Sequence, residues 1–528
     1  MTNGITGLLN LARFSRMRHL QLCVGNATDS YKMTHWKIYP DGLSSMSSYL
    51  EARSASDFAD ETVFFGLQYF IKRFLIGEVI TLRDLPRLKA FCKNHFYGVE
   101  GLFNEEGWRY IINHHKGRLP VSIRAVAEGT VVPVSNALMV IKETDPKCAW
   151  LTNFLETLLV EVWNPITVAS LSRAMKKTQY EFMNKTMDSD ELLRILMPSR
   201  VHDFGYRGVS SPETAGLSGA AHLVNFVGTD TIAAIDLIDQ FYRGNEFNDL
   251  LDEDLVNGEF DENASYERWD AYYKANMPGF SIPATEHSQM TLGGETGERD
   301  ILENYIRKFP SGFIACVIDS FDTFNFINSV SGGDLKAEVL GRDGVLVHRP
   351  DSGDPPKMVV DVLNALGIRF GYRTNGKGYK VLNDKVRVIQ GDGVNYHSHR
   401  KILEAVVAAG WSVENLAFGS GGALLQKVNR DTFSFAFKCS YAVVNNVPRA
   451  VFKKPKTDPR KNSKRGELAL VIYNTNYITV PLEEANNYPS GDMLKEVYRN
   501  GELLIEYDFS DIRARAELPE LMAAASAN

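Results

Sequence analysis

Between residues 197 and 425 a short apolar run breaks off six times into polar or glycine-rich residues: "RVHDFGYRG", "GFSIPATEHS", "GFIACVIDSFDT", "GVLVHRPDSGD", "KVRVIQGDG" and "NLAFGSGGA". Helix-period segments follow several of them, such as "KMVVDVLNALG" and "HSHRKILEAVVAAG". Strand, polar loop and helix in repetition specify parallel strands with crossover helices. In such a fold the loops at the carboxyl ends of the strands build the active site.

The flanking segments have another rhythm. "MSSYLEA" and "VSIRAVAEGTVVPV" alternate as strands, while "GLQYFIKRFLIG" and "LTNFLETLLVEVW" carry apolar positions at helical spacing. "VYRNGELLIEY" predicts a hairpin turning at Asn500 and Gly501. The expected fold class is α/β: an irregular parallel β/α barrel-like domain plus an α+β domain built from the N- and C-terminal segments. Residues 1–26 form an N-terminal arm, 27–160 the first part of the α+β domain, 161–440 the barrel-like catalytic domain, and 441–528 the return to the α+β domain. Within the barrel, the acid-rich, weakly periodic stretch 243–270 reads as a surface insertion. The tail "ELMAAASAN" reads as frayed.

The net charge of -7 lacks the clustered basic footprint of a nucleic-acid binder, so no nucleic-acid partner is expected. No apolar run approaches the roughly 18 residues of a membrane span, so no membrane is expected either. Five scattered cysteines without C-x-x-C spacing argue against a disulfide framework and against structural zinc, and for a reducing, cytoplasmic location. The arm holds Arg13, Arg16 and Arg18 and no acid, which suits a solvated or partner-covering arm and weakly mimics a transit peptide.

Each loop carries a chemical suggestion beside a plainer one. Ser420, Gly421 and Gly422 between a strand and a helix can present backbone N–H groups to a phosphate, with Arg430 closing over it; they can also be an ordinary turn. Asp392 between two glycines suits a ribose diol or a local cap. Asp319 and Asp351 end neighbouring strands and could hold Mg²⁺, whose other ligands are phosphate oxygens; Asp351 could equally pair with Arg349. His287 is a candidate nucleophile or a structural histidine. Phe204 beside Arg207 can stack a flat ring next to a phosphate, or fill a core. Together they suit an enzyme handling a phosphorylated ribose and a planar base.

Longer strings carry a resemblance. "ATDSYKMTH", "ETVFFGLQY", "HDFGYRGVSS", "AHLVNFVGTD", "EHS", "RPDSGDP", "VIQGDGV", "FGSGGALLQK" and "FKCSY" resemble, in order, the nicotinamide phosphoribosyltransferases of the type II phosphoribosyltransferase family. The resemblance spans about residues 27–515. It implies nicotinamide and phosphoribosyl pyrophosphate as substrates, nicotinamide mononucleotide and pyrophosphate as products, Mg²⁺ as cofactor and ATP as co-substrate. It also implies a homodimer with shared active sites. Carried over by motif, Phe204 stacks the nicotinamide ring against Tyr31 of the partner subunit, and Asp230, with Ser281 nearby, meets the carboxamide. Arg349 lies near ring and diphosphate. Asp351, Gly391 and Asp392 meet the ribose, while Gly421, Gly422, Arg430 and Lys438 hold the 5′-phosphate. Arg207, Arg53, Lys453 and Lys461 reach the diphosphate or ATP, the last three from the partner. His287 is the residue ATP phosphorylates, and Asp319 orients it or binds Mg²⁺. Ala315 and Ala436 stand where the resemblance leads us to expect serine. The alternatives are a nicotinate phosphoribosyltransferase, which needs a cation where this chain has Asp230, and a non-catalytic binding or signalling protein on the same scaffold.

Overall fold

A computed structural model describes residues 23–256, 261–457 and 462–525. The first 22 residues of the arm lie outside that range, as does Lys461.

The chain first lays down β1 (Leu43–Glu51), β2 (Val121–Ala125) and β3 (Ala137–Glu143). Six strands of the second module follow: β4 (Val201–Asp203), β5 (Gly228–Thr229), β6 (Ser311–Val317), β7 (Asp343–Arg349), β8 (Val386–Gln390) and β9 (Leu416–Ser420). The chain then returns with β10 (Ala436–Val444), β11 (Val447–Ala450), β12 (Lys495–Arg499) and β13 (Glu502–Leu503). Strands from both ends of the sequence interleave in one antiparallel sheet, in the order β11-β10-β1-β3-β2-β12-β13. The β12–β13 hairpin turns at Asn500 and Gly501, whose φ values of 51° and 88° fit the Asn-Gly turn read from the sequence.

The other large sheet, ordered β5-β4-β9-β8-β7-β6, is wholly parallel and curled. Its two edges are joined by the segment 280–284. Phe280 bridges Gly228 on one edge and Ala284 bridges Ala315 on the other. The sequence pattern predicts a full strand here, but the structure has only these isolated bridges. Pro283 has no N–H to donate, which limits the segment to a suture.

The crossover helices obey their caps. Pro355–Phe370 starts behind Asp354, whose carboxylate accepts from the Lys357 N–H, and ends at Gly371 with φ 84°. Its buried side chains Val359, Val362, Leu363, Leu366 and Phe370 keep helical spacing against the sheet. Asn395 caps Tyr396–Ala408 by accepting from the His397 and Ser398 N–H groups. Inside the curl, Ala315, Val347 and Ile389 form a small separate cluster with Phe204, Ile282, Val345 and Ala417. These modest side chains leave the barrel axis partly open.

Both the insertion and the tail carry helices. Within the acidic stretch the described residues form two helices, Glu246–Val256 and Glu262–Asn276. Phe247 and Trp269 meet edge to face at 5.5 Å, and the Tyr272 hydroxyl donates to Asp239 at 2.9 Å. Tertiary aromatic contacts, absent from any local pattern, hold the insertion. The tail is helical over Pro519–Ala525, and residues 526–528 lie outside the described residues.

Among the described residues no single helix is long and apolar enough to cross a membrane.

Candidate active site at the carboxyl ends of the parallel strands

Strand register places the chemistry. Val317 pairs with Arg349, Val388 with His348, Gln390 with Phe418, and Ser420 with Asp203. Two residues beyond the β6 and β7 ends, Asp319 and Asp351 therefore come level. Gly391 comes level with Gly419, and Gly421 with Phe204. A mouth of about 800 Å³ opens there, lined by Phe204, Arg207, Asp230, Thr285, Glu286 and Arg349 among others. A second cavity of about 530 Å³ continues into the barrel and includes Ser281, Ala315, Val345 and Ile389 in its wall. Phe204, Asp230, Ala284 and Arg349 line both.

Phe204 is half-buried at the junction, and its N–H donates to Ser420 O at 2.9 Å. Its ring lies over Gly391 and Gly419. A Cβ on Gly419 would fall 2.0 Å from Phe204 Cε2, so only glycine fits beneath the ring. A Cβ on Gly391 would stand 3.5 Å from both the ring and Asp351 Oδ1. Asp230 follows β5, with its N–H donating to Asp203 O at 2.9 Å and its Oδ1 accepting from the Ser281 hydroxyl. Behind it, burial pushes the Asp203 carboxyl up to about 6, against the Gly205 N–H that favours its charged form. His202, also on the cavity wall, is pushed below its ordinary value by burial.

His287, Asp319, Arg349 and Asp351 form one centre. His287 Nδ1 lies 3.0 Å from the Ser320 hydroxyl, while Nε2 faces Asp319 at 3.9 Å and Asp351 at 3.7 Å. Asp319 Oδ2 accepts from the Asp351 N–H at 3.0 Å and from the Ser352 hydroxyl. Its Oδ1 is buried with no hydrogen-bond partner. Arg349 donates from Nη2 to Thr285 O at 3.0 Å and keeps a buried, unpartnered Nε. It forms no ion pair with Asp351, so the plainer reading of that pair does not hold. Glu286 is held below the usual carboxylate range by the Ser288 hydroxyl, with help from Arg207 and Arg349.

Gly421 and Gly422 pack against the Phe204–Gly208 loop. A Cβ on Gly422 would come 3.0 Å from Gly208 O, so two backbones approach closely here. The helix that the sequence places after them is a single turn, Gly422–Leu425. That correction removes most of the expected dipole, since a macrodipole needs aligned turns. The free N–H groups of a first turn remain. Asp392 stands exposed in the turn after β8, where its carbonyl accepts from Gln390 Nε2 at 2.8 Å.

A second group surrounds Lys438 of β10. Burial pushes the Lys438 ammonium below its ordinary value, Glu156 opposes this, and Arg53, Arg430 and Lys32 add to it. Arg53 Nε donates to Ser434 O at 3.1 Å. Lys453 is exposed, with its N–H donating to Ser463 at 2.8 Å. Tyr31 is 55 % exposed next to Lys32. Tyr31, Arg53, Arg430, Lys438 and Lys453 line neither cavity. Sequence reasoning missed Ser320, Thr285, Gly419 and His202. Ser320 and Gly419 stand inside strings already read for other roles, and their partners lie far off in sequence.

Residues 199–502 match the profile of the nicotinate phosphoribosyltransferase (NAPRTase) family, and residues 23–123 match the nicotinamide phosphoribosyltransferase N-terminal domain. The chain is 42 % identical over 500 residues to the nicotinamide phosphoribosyltransferase of Xanthomonas campestris pv. campestris, covering 94 % of this chain and 98 % of that one. It is 31 % identical over 523 residues to the nicotinamide phosphoribosyltransferase of Acinetobacter baylyi, covering 93 % and 96 %. In fold it is similar to the crystal structure of nicotinate-nucleotide pyrophosphorylase from Pyrococcus furiosus, with a TM-score of 0.53 at 16 % identity over 93 % of this chain and 94 % of that one.

Proposed function

The chain belongs to the nicotinate phosphoribosyltransferase family, and from that premise we propose that it is a pentosyltransferase joining nicotinamide to phosphoribosyl pyrophosphate, giving nicotinamide mononucleotide and pyrophosphate for NAD salvage. Two relatives sharing nearly its whole length carry the nicotinamide name. The observation that carries the choice of base is Asp230. Its carboxylate lines both cavities beside Phe204, with one oxygen occupied by Ser281 and the other left to accept from a carboxamide NH₂. A nicotinate carboxylate would meet like charge there. The family profile's own name favours nicotinate as the second reading.

The reaction follows from charge. Pyrophosphate departs from C1 of the ribose, positive charge develops at the sugar, and the pyridine nitrogen attacks. Phe204 holds the ring, and the positive charge that forms on it lies against an aromatic face. Arg349, with an N–H free of other partners, and Arg207 face the departing negative charge. Gly421 and Gly422 offer backbone N–H groups to the 5′-phosphate. Asp351 and Asp392 suit the ribose hydroxyls.

Asp319 and Asp351 fit Mg²⁺: Asp319 Oδ1 is a buried acceptor with no partner, and two carboxylates are enough when phosphate oxygens complete the shell. When bound, the ion neutralises diphosphate charge. ATP stimulates turnover by phosphorylating His287. Ser320 occupies Nδ1, which leaves Nε2 as the acceptor nitrogen.

A homodimer completes the site. Tyr31, Arg53 and Lys453 are aromatic or cationic, yet line neither cavity of their own chain. They serve the opposite barrel, as the partner's Tyr31 over the ring and the partner's Arg53 and Lys453 at the polyphosphate. Free thiols at all five cysteines suit a cytoplasmic enzyme.

The test is direct product analysis with nicotinamide and with nicotinate, in the native chain and in Asp230→Asn. The reading requires the native chain to prefer nicotinamide and the variant to lose that preference. Native preference for nicotinate would overturn it.

A further inference from the structure

Outside the barrel mouth, one corner of the N-terminal module gathers three kinds of metal-ligand atom. His115 closes the helix Glu105–His115, Asp145 stands at the turn after β3, and Cys148 follows three residues later. One ligand atom from each lies within 4.8 Å of the other two. Backbone structure fixes the set. The Cys148 N–H donates to Asp145 O at 2.8 Å, so the Asp-x-x-Cys turn brings carboxylate and thiol together. Asp145 Oδ1 accepts from the Lys147 N–H at 2.9 Å, which leaves Oδ2 for the corner. Oδ2 lies 2.8 Å from His115 Nε2 and accepts from the Tyr110 hydroxyl at 2.9 Å. Cys148 is fully buried, while the His115 and Asp145 side chains are 24 % and 18 % exposed, so an ion can enter from solvent.

We propose that His115, Asp145 and Cys148 form a binding site for a divalent transition metal of the Zn²⁺ class, separate from the substrate pocket. A sulfur and an imidazole nitrogen beside one carboxylate select Zn²⁺ over Mg²⁺ or Ca²⁺. With bonds of about 2.0–2.3 Å, tetrahedral ligands stand roughly 3.3–3.8 Å apart. Small side-chain rotations reach that spacing, and the ion replaces the His115–Asp145 hydrogen bond. Water or Tyr110 supplies the fourth donor. The role is a staple: it joins the helix to the corner leading into Leu151–Phe154, whose Asn153 accepts from Ser48 of β1 at 2.7 Å. Ser48 neighbours Tyr49, which pairs with Lys438. The competing account is a hydrogen-bonded His–Asp–Tyr corner beside an inert thiol.

The experiment titrates Co²⁺ into the chelator-stripped full-length chain. Expected are one tight Co²⁺ per chain, the near-ultraviolet thiolate-to-cobalt charge-transfer band, visible bands of tetrahedral intensity, and displacement of all of these by Zn²⁺. Cys148→Ser abolishes the charge-transfer band. His115→Asn, at a partly exposed helix end, weakens Co²⁺ binding by roughly tenfold or more and keeps phosphoribosyl transfer. No charge-transfer band in the native chain overturns the proposal, as does a band that survives unchanged in Cys148→Ser or a native Co²⁺ affinity in His115→Asn.

Discussion

Gly419→Ala tests how the ring slot is built. An added Cβ would stand 2.0, 2.1 and 2.8 Å from Cε2, Cδ2 and Cζ of Phe204. Carbon atoms sit comfortably at about 3.5–4.0 Å, so something must give by ~1.5 Å. β9 is held on both sides, by β8 and by β4, so the ring moves and not the strand. Overpacking of this kind costs about 1–3 kcal/mol of stability. A misplacement of about 1 Å in a positioning group can cost ~10²-fold in rate. Steady-state kinetics should show kcat/KM for nicotinamide falling by roughly 10–100-fold, chiefly through KM for nicotinamide, with KM for the sugar diphosphate much less affected. Thermal unfolding should show the stability loss. Phe204→Leu in the same background should restore stability without restoring nicotinamide KM. Gly391→Ala places its Cβ at an ordinary 3.5 Å from the same ring, so its unfolding midpoint should match the native one. A Gly419→Ala enzyme with native nicotinamide KM and native stability would refute the reasoning.

Other expectations concern the histidine centre and the acids behind it. His287→Ala should abolish ATP stimulation and leave a slower ATP-independent transfer, measured as mononucleotide formed with and without ATP. Ser320→Ala removes one hydrogen bond, worth about 1 kcal/mol, and should slow the ATP-dependent component roughly fivefold, while Ser320→Thr keeps it. Burial first, then the charges of Asp322, Glu295 and Asp319, pushes the Glu298 carboxyl up to about 7. A carboxyl whose folded value is raised binds its proton more tightly when folded, so its contribution to stability is greatest below about pH 4 and is lost as pH rises through 7. Glu298→Gln should therefore raise the unfolding midpoint at pH 8, and the advantage should vanish by about pH 4.

Much of the barrel was readable because apolar runs that stop at polar residues mark strand ends, and β4, β6, β7, β8 and β9 all lie there. The same signal located Phe204, Asp319, Asp351, Asp392 and Gly421. It misled at 280–284, where Pro283 lets the segment bridge two edges without forming a strand. It also overstated the helix after Gly422, because a glycine-rich turn followed by "ALLQK" looks the same whether the helix runs one turn or four. Gly419 was legible only as part of a phosphate-like turn, yet its closest neighbour is a ring 215 residues earlier in the chain. Ser320 escaped for the same reason, since its partner His287 is 33 residues distant. The insertion's helices rest on contacts between Phe247, Trp269, Tyr272 and Asp239 that no local periodicity encodes.

The most direct measurement of the central claim is the product formed by the native chain with phosphoribosyl pyrophosphate, Mg²⁺ and ATP when nicotinamide and nicotinate compete in one reaction. Asp230 beside the ring cavity predicts nicotinamide mononucleotide as the dominant product, with kcat/KM favouring the amide by roughly tenfold or more, the scale of about 1–2 kcal/mol of like-charge repulsion at an exposed carboxylate. Nicotinate mononucleotide as the main product, or neither product at all, would contradict the account.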